Sequence, residues 1–215
     1  MSTTEQDAAT RKGRGRPKTF DREAALDIAL ELFWRHGYEA TSLADLVAAT
    51  GAKAPTLYAE FTNKEGLFRA AVDRYTEKFA SKSAAALSCP ESGVAAGIEN
   101  YFRTTVACFT DSKKPGGCFL ICTSTGLSAD SDEVAKMLRR RHQTQENTLS
   151  AFLQARQASG ELDPRTDIAA LSAWLGCLLQ GMSVRAREGA TPAELNGLVD
   201  TLMLQWPTLS RLGIH

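Results

Sequence analysis

The sequence lacks any uninterrupted apolar run near the roughly 18–20 residues that a bilayer crossing requires. Its opening stretch, MSTTEQDAATRKGRG, has no hydrophobic centre of the kind a secretory signal carries. It also lacks net charge, because 25 Lys and Arg balance 25 Asp and Glu, so a uniformly basic nucleic-acid coat is excluded. Histidine is scarce: His36, His142 and His215 stand far apart with no clustered acids, and no metal site is expected. The five cysteines (Cys89, Cys108, Cys118, Cys122, Cys177) form an odd set without paired metal-ligand spacing. With no export signal they read as reduced thiols in a cytoplasmic protein. No Gly-rich phosphate loop, nucleophile elbow or His-Glu-x-x-His is found, so neither an enzyme nor a cofactor is expected.

What is present is helical. A hydrophobic content of 43% over 215 residues is ample for a packed core, and nearly the whole pattern after residue 18 repeats at helical spacing. Before it lies a short stretch with Arg11, Lys12, Arg14, Arg16 and Lys18 and no acid among them, which reads as a flexible arm able to bind phosphate. Asp21 is placed to cap a first helix whose apolar face is Ala25, Ile28, Ala29, Leu32 and Phe33, with Gly37 closing it. Thr41 or Ser42 caps a second over 43–49, and a turn at Gly51 leads to a third over 53–61. A fourth starts near Asn63. Ser88 and Glu91 have capping-box spacing before another helix, Ser131 opens a long one to about Ala158, and Asp167 opens one reaching Glu188. Thr191-Pro192-Ala193-Glu194 is a capping box with Pro at the first helical position.

Two short helices joined by a Gly turn, 42–49 and 53–61, form a helix-turn-helix arrangement, in which the second helix enters the major groove. Thr41 and Ser42 at a helix N-terminus are suited to meet a phosphate. Lys53, Ala54, Pro55, Thr56 and Tyr58 open the recognition helix, and Asn63 and Lys64 follow it near the backbone. The bland reading is that a Gly turn between short helices is common and that Tyr58 and Phe61 are core.

The stretch over residues 20–67, FDREAALDIALELFWRHGYEATSLADLVAATGAKAPTLYAEFTNKEGL, resembles the DNA-binding domain of the TetR family. The likeness is carried by Ala29, Phe33 and Gly37, by Thr41-Ser42, Ala44, Leu46 and Gly51, and by Thr56-Leu57-Tyr58, Phe61 and Asn63-Lys64-Glu65. It departs at Glu60, where the family often has His or Tyr, and at Lys53-Ala54-Pro55, where Ser-x-Gly is commoner. Those positions lie near the groove and bear on the operator rather than on the fold. Gly13-Arg14-Gly15-Arg16-Pro17-Lys18 resembles an AT-hook core, which lays Arg in a narrow minor groove; the alternative is a solubilising tail.

The resemblance implies an all-α fold with a three-helix helix-turn-helix domain and a C-terminal helical ligand-binding and dimerisation domain. The boundaries follow as an arm over 1–18, a DNA-binding domain over 19–65 and a sensor over 66–215. It implies a homodimeric repressor on double-stranded DNA, released by a small-molecule inducer, and two-fold symmetry makes the operator palindromic. Candidate pocket residues are Tyr101, Phe102, Val106, Cys118, Phe119, Cys122, Met137, Arg141 and Trp174, each of which can equally be core. The last two helices are apolar nearly all round, so a partner is expected to cover their second side. Trp174, Cys177, Gly181 and Val184, with Leu195, Leu198, Leu202 and Trp206, are the expected dimer face. Two alternatives stay open: a thiol-based redox or electrophile switch at Cys118, just after Gly116-Gly117, and an architectural DNA binder with no sensor.

Overall fold

The computed structural model describes residues 20–87 and 93–211, so the basic arm, Cys89 and the Ser88/Glu91 capping box lie outside the described residues. Within them every regular element is helical. The first, α1 (Arg22–Ala40), starts where the Asp21 carboxylate accepts from the Ala24 N–H. Its buried stripe is Ala25, Leu26, Ala29, Leu30, Phe33 and Trp34, so Leu26, Leu30 and Trp34 take the inward places expected of Ile28, which is exposed, and Leu32, which is half-buried. Gly37 breaks its last turn with φ of +83°, and the Thr41 hydroxyl donates to the Gly37 carbonyl at 2.7 Å. Two short helices follow, α2 (Leu43–Thr50) and α3 (Ala54–Phe61), separated by Gly51 in the left-handed conformation at φ 67° and ψ 6°. Only glycine enters that region without steric cost, which is why the turn can be this tight.

The helix α4 (Lys64–Tyr75) is capped by Asn63. It passes through a π turn (Thr76–Ala80) into α5 (Ser81–Ala86), so one helical path links the third helix to the C-terminal half. That half contains α6 (Val94–Phe109), the short α7 (Phe119–Ser124), the long α8 (Asp132–Ala158), α9 (Ile168–Arg187) and α10 (Pro192–Leu209). The start of α6 is met from across the fold, where the Glu161 carboxylate accepts from the Val94 N–H at 2.8 Å. The α10 start is the expected capping box of Thr191 and Glu194.

One apolar core runs through both halves. They meet at Phe119 of α7, whose ring centroid lies 5.5 Å from Phe68, 5.5 Å from Tyr75 and 6.2 Å from Trp34. The chain reaches this position through Gly116 and Gly117, which pass so close to α9 that a Cβ on Gly117 would sit 2.5 Å from the Ser183 carbonyl oxygen. The Cys118 N–H then donates to the Ser183 hydroxyl at 2.8 Å.

Two expectations are corrected here. By length and composition α9 is apolar enough to cross a membrane, contrary to the reading that nothing in the chain approaches a span. Its stripe of Leu171, Leu175, Leu179 and Met182 is, however, buried against this protein's own helices, as in the core helix of a globular fold. On α10 the inward stripe is Leu195, Val199, Leu202 and Trp206, with Leu198 facing out. Leu195, Leu202 and Trp206 are therefore core rather than dimer face: the stripe turns one residue away from the one expected, because α10 packs on α6.

Candidate nucleic-acid interface and sensor cavity

The helix-turn-helix is held from beneath by Leu46, Leu57 and Phe61, all buried, while α3 presents Lys53, Pro55 and Tyr58 to solvent. Tyr58 keeps 43% of its surface exposed, so it is not the core residue of the bland reading. Lys53 sits at the cap position, where an ammonium cannot accept from the backbone N–H groups and its side chain makes no capping bond, and Pro55 lies in the first turn, where no N–H is needed. Ala54 and Thr56 are half-buried beside them.

Other expected contacts are occupied internally. Thr41 is buried and its hydroxyl terminates α1, so it is withdrawn as a phosphate donor. Ser42 is exposed, but its hydroxyl and backbone N–H both serve the Asp45 carboxylate, at 2.6 and 2.8 Å. Those bonds hold the Asp45 carboxyl below its ordinary range, and the α2 N-terminus carries its own anion. Asn63 accepts from the Gly66 N–H at 2.8 Å and caps α4. Lys64 stacks its ammonium 4.3 Å from the centre of the Tyr38 ring, and burial lowers its pKa. Between residues 20 and 64, four basic side chains (Arg22, Arg35, Lys53, Lys64) face seven acids (Asp21, Glu23, Asp27, Glu31, Glu39, Asp45, Glu60). The run of basic residues with no acid among them, Arg11, Lys12, Arg14, Arg16 and Lys18, lies outside the described residues.

The C-terminal half holds a partly open cavity of about 160 Å³ bounded by α4, the π turn, α5, α6, α7 and α8. Tyr101, Cys118 and Arg141 line it as expected. Phe102, Val106 and Met137 are buried but lie outside its wall, Phe119 faces the aromatic junction, Cys122 rests 3.9 Å from Ser183, and Trp174 is 41% exposed on α9. Tyr75, Phe79, Thr105, Cys108, Phe109, Leu120 and Gln145 line the cavity without having been anticipated. A stripe of Arg141, Thr144, Gln145 and Thr148 on α8 was the available signal: polar residues at helical spacing on an otherwise inward face.

The thiol chemistry is that of buried side chains. Cys118 accepts a hydrogen bond from the Tyr75 hydroxyl at 3.3 Å, and burial pushes its pKa above the ordinary range despite that bond and the nearby start of α7. Burial raises Cys108 and Cys122 in the same way. A reactive thiolate needs the opposite shift, so the switch at Cys118 is not favoured.

Besides the ion pairs of α1 with Arg74 and Lys78, polar ties cross from the reading head to the C-terminal half, and α4 is tied to α8. Glu39 accepts from the Ser128 N–H, the Ser128 hydroxyl and the Ser131 hydroxyl at 2.9, 2.8 and 2.6 Å, and these bonds lower its pKa. The Arg187 guanidinium donates to the Arg35 carbonyl at 2.5 Å. Arg141 of α8 pairs with Asp73 of α4.

On the outer side, α9 exposes Trp174, Cys177, Gly181 and Val184, and α10 exposes Leu198 and Leu204, the last 78% accessible. Trp174, Val184, Leu198 and Leu204 are the exposed large apolar side chains of the last two helices among the described residues.

Residues 25–71 match the family model described as bacterial regulatory proteins, tetR family, and residues 94–202 match a tetracyclin repressor-like C-terminal domain. The chain is 54% identical over 206 residues to the HTH-type transcriptional repressor ComR of Escherichia coli (strain K12), covering 96% of this chain and 98% of that one. It is 30% identical over 189 residues to the HTH-type transcriptional regulator YezE of Bacillus subtilis (strain 168), covering 86% and 96%. Among solved structures, a cysteine mutant of the TetR family regulator CifR complexed with 26-base-pair operator DNA matches with a TM-score of 0.84 and 32% identity. That match covers 89% of this chain and all of the other.

Proposed function

The chain belongs to the TetR family of bacterial regulatory proteins, and from that premise we propose that it is a homodimeric transcriptional repressor whose α3 reads a palindromic operator until a small molecule occupies the sensor cavity. The observation that carries this reading is α3 itself: Leu57 and Phe61 fix the helix from below while Lys53, Pro55 and Tyr58 stand free above it. The regulator similar to this chain over its whole length is held on operator DNA, which supports the same use of the same helix. The exposed apolar strip on α9 and α10 supports a two-fold partner, which would place two α3 helices on half-sites about one helical turn or a multiple apart. Release is then a shift between DNA-competent and incompetent spacings, limited by the ligand's differential affinity for the two.

The test is fluorescence anisotropy of the purified protein on DNA flanking its own gene at fixed salt, with sedimentation for the assembly state. The expected result is a dimer that binds one such fragment far more tightly than scrambled DNA of equal length. Equal binding to both would leave only a non-specific DNA binder.

A further inference from the structure

Among the described residues, Arg141 is the single charged side chain on the wall of the 160 Å³ cavity, and no carboxylate lines it. The rest is largely apolar and aromatic, with Tyr75, Phe79, Tyr101 and Phe109 on the wall. Most hydroxyls there are already used: Thr105 donates to the Tyr101 carbonyl, Thr144 to the Arg140 carbonyl and Tyr75 to Cys118. Gln145 Nε2 donates to the Tyr101 hydroxyl oxygen at 3.2 Å, so the phenolic proton is left to point elsewhere. Burial pushes Tyr101 up to about 12, which keeps that proton in place. The cavity thus offers donors, a guanidinium fork and a phenol, and lacks the anion a cationic ligand would need.

Size narrows the ligand further. The volume is close to that of an engineered apolar cavity of ~150 Å³ that holds benzene, and four aromatic side chains on the wall suit a ring that they meet at its edge or face. Arg141 is also the link outward: its side chain is about 35% exposed, and it pairs with Asp73 on α4. An incoming carboxylate inside the cavity competes for the same guanidinium from a drier position, where a charge pair is less screened than the exposed one with Asp73. Asp73 lies on α4, the helix that begins directly after α3, so loss of its partner frees α4 from the middle of α8 and leaves the Glu39–Ser131 bond as the tie at the start of α8.

Resting on the reading of the chain as a ligand-released repressor, we propose that its inducer is a small aromatic carboxylate, of benzoate or phenylacetate size. Its ring fills the aromatic wall and its carboxylate takes Arg141 from Asp73.

The experiment is calorimetric titration of the full-length protein with benzoate and phenylacetate, and with benzamide and benzyl alcohol as uncharged counterparts. Wild type is expected to prefer one of the acids by about tenfold or more, as a charge-assisted pair requires. Arg141→Gln is expected to erase that preference while still binding benzyl alcohol, and Tyr101→Phe to weaken only the acids, should the first variant fail to fold. Asp73→Asn removes the competing carboxylate and is expected to tighten acid binding by roughly threefold, within the range of an exposed ion pair. Equal affinity for acids and neutral compounds, no binding of either acid, or an undiminished preference in Arg141→Gln overturns the proposal. Anisotropy on the promoter fragment separates the two readings. Release by an uncharged compound alone sinks the carboxylate and leaves the repressor. Acid binding by a protein that ignores the fragment sinks the repressor and leaves the ligand class.

Discussion

The reading head and the sensor cavity differ in where they leave the polar side chains that their own hydrogen bonds do not use up. Around α2 and α3 the hydroxyls and amides are spent on building the turn: Thr41 ends α1, Ser42 and Asp45 begin α2, and Asn63 begins α4. What is left over, Lys53 and Tyr58, stands in solvent. In the cavity most hydroxyls are likewise spent internally, and what is left is one guanidinium on a wall that also carries aromatic side chains, and a phenol kept protonated by burial. A charge in solvent is screened within about 10 Å at ordinary salt and acts mainly by number. A charge on a largely apolar wall acts by identity, since no other charged side chain lines it among the described residues. The reading head is therefore expected to tolerate single charge changes that the cavity does not.

The sharpest break in this comparison is at the place where the two regions touch. Phe119 is fully buried among Trp34, Phe68 and Tyr75, drawn from both halves. Phe119→Ala removes a large side chain from a site that rigid helices surround, and the expected loss is about 3–5 kcal/mol. Urea unfolding followed by tryptophan fluorescence measures it, with Trp34 as a reporter beside the site. One shifted transition means a single cooperative unit, whereas two transitions with the reading head unchanged would make the regions independent.

A second break concerns charge by number. Because the acids of residues 20–64 outnumber the bases, the five arm residues Arg11, Lys12, Arg14, Arg16 and Lys18 are expected to carry much of the phosphate attraction. Deleting residues 1–16 is expected to weaken operator binding by roughly tenfold or more and to lower the salt slope by about 0.9 for each phosphate no longer neutralised. Lys53→Ala, a single exposed charge, is expected to cost less, with a slope change of about 1. Anisotropy across a salt series gives both. An unchanged slope in the truncated protein removes the arm from the mechanism.

The same contrast explains what the amino-acid sequence made legible. The reading head is built from contiguous residues, so the caps at Asp21 and Ser42 and the glycine turn can be read from spacing alone, but the α1 stripe was misphased in part: Ile28 stands exposed, and Leu26, Leu30 and Trp34 fill the core beside Ala25, Ala29 and Phe33. Cavity membership is a property of several helices meeting, and spacing says only which face of each is inward. Phe102 and Tyr101 are neighbours on α6 and both buried, yet only Tyr101 reaches the cavity. On α10 the error was one of phase: Leu195, Leu198 and Leu202 fit one stripe, and the distinction between Leu198 and Val199 depends on where α6 lies. Thr41 illustrates a further limit, since a Thr at a helix boundary serves equally well as a cap, a terminator or a phosphate donor.

The smallest expected effect tests whether the junction is held by its rings or by the charges around them. Asp27 of α1 binds Arg74 at the end of α4 and Lys78 in the π turn, at 2.9 and 2.7 Å. Its pKa falls to about 2, chiefly through the Arg74 hydrogen bond and against the effect of burial. A carboxyl depressed on folding stabilises fully above its ordinary pKa of 3.8, and that stabilisation is lost as the pH falls through about 2. Asp27 is 44% exposed, so solvent screening reduces its worth to on the order of 1 kcal/mol or less at neutral pH. Asp27→Asn is accordingly expected to flatten the acid limb of stability between pH 3.8 and 2 while lowering the neutral-pH midpoint only slightly. Thermal unfolding at a series of pH values and at two salt concentrations checks both. If Asp27→Asn destabilised the protein as much as Phe119→Ala at neutral pH, the ion pairs rather than the aromatic cluster would join the reading head to the sensor. The contrast between an exposed region that acts by number and a largely apolar one that acts by identity would then fail at the joint itself.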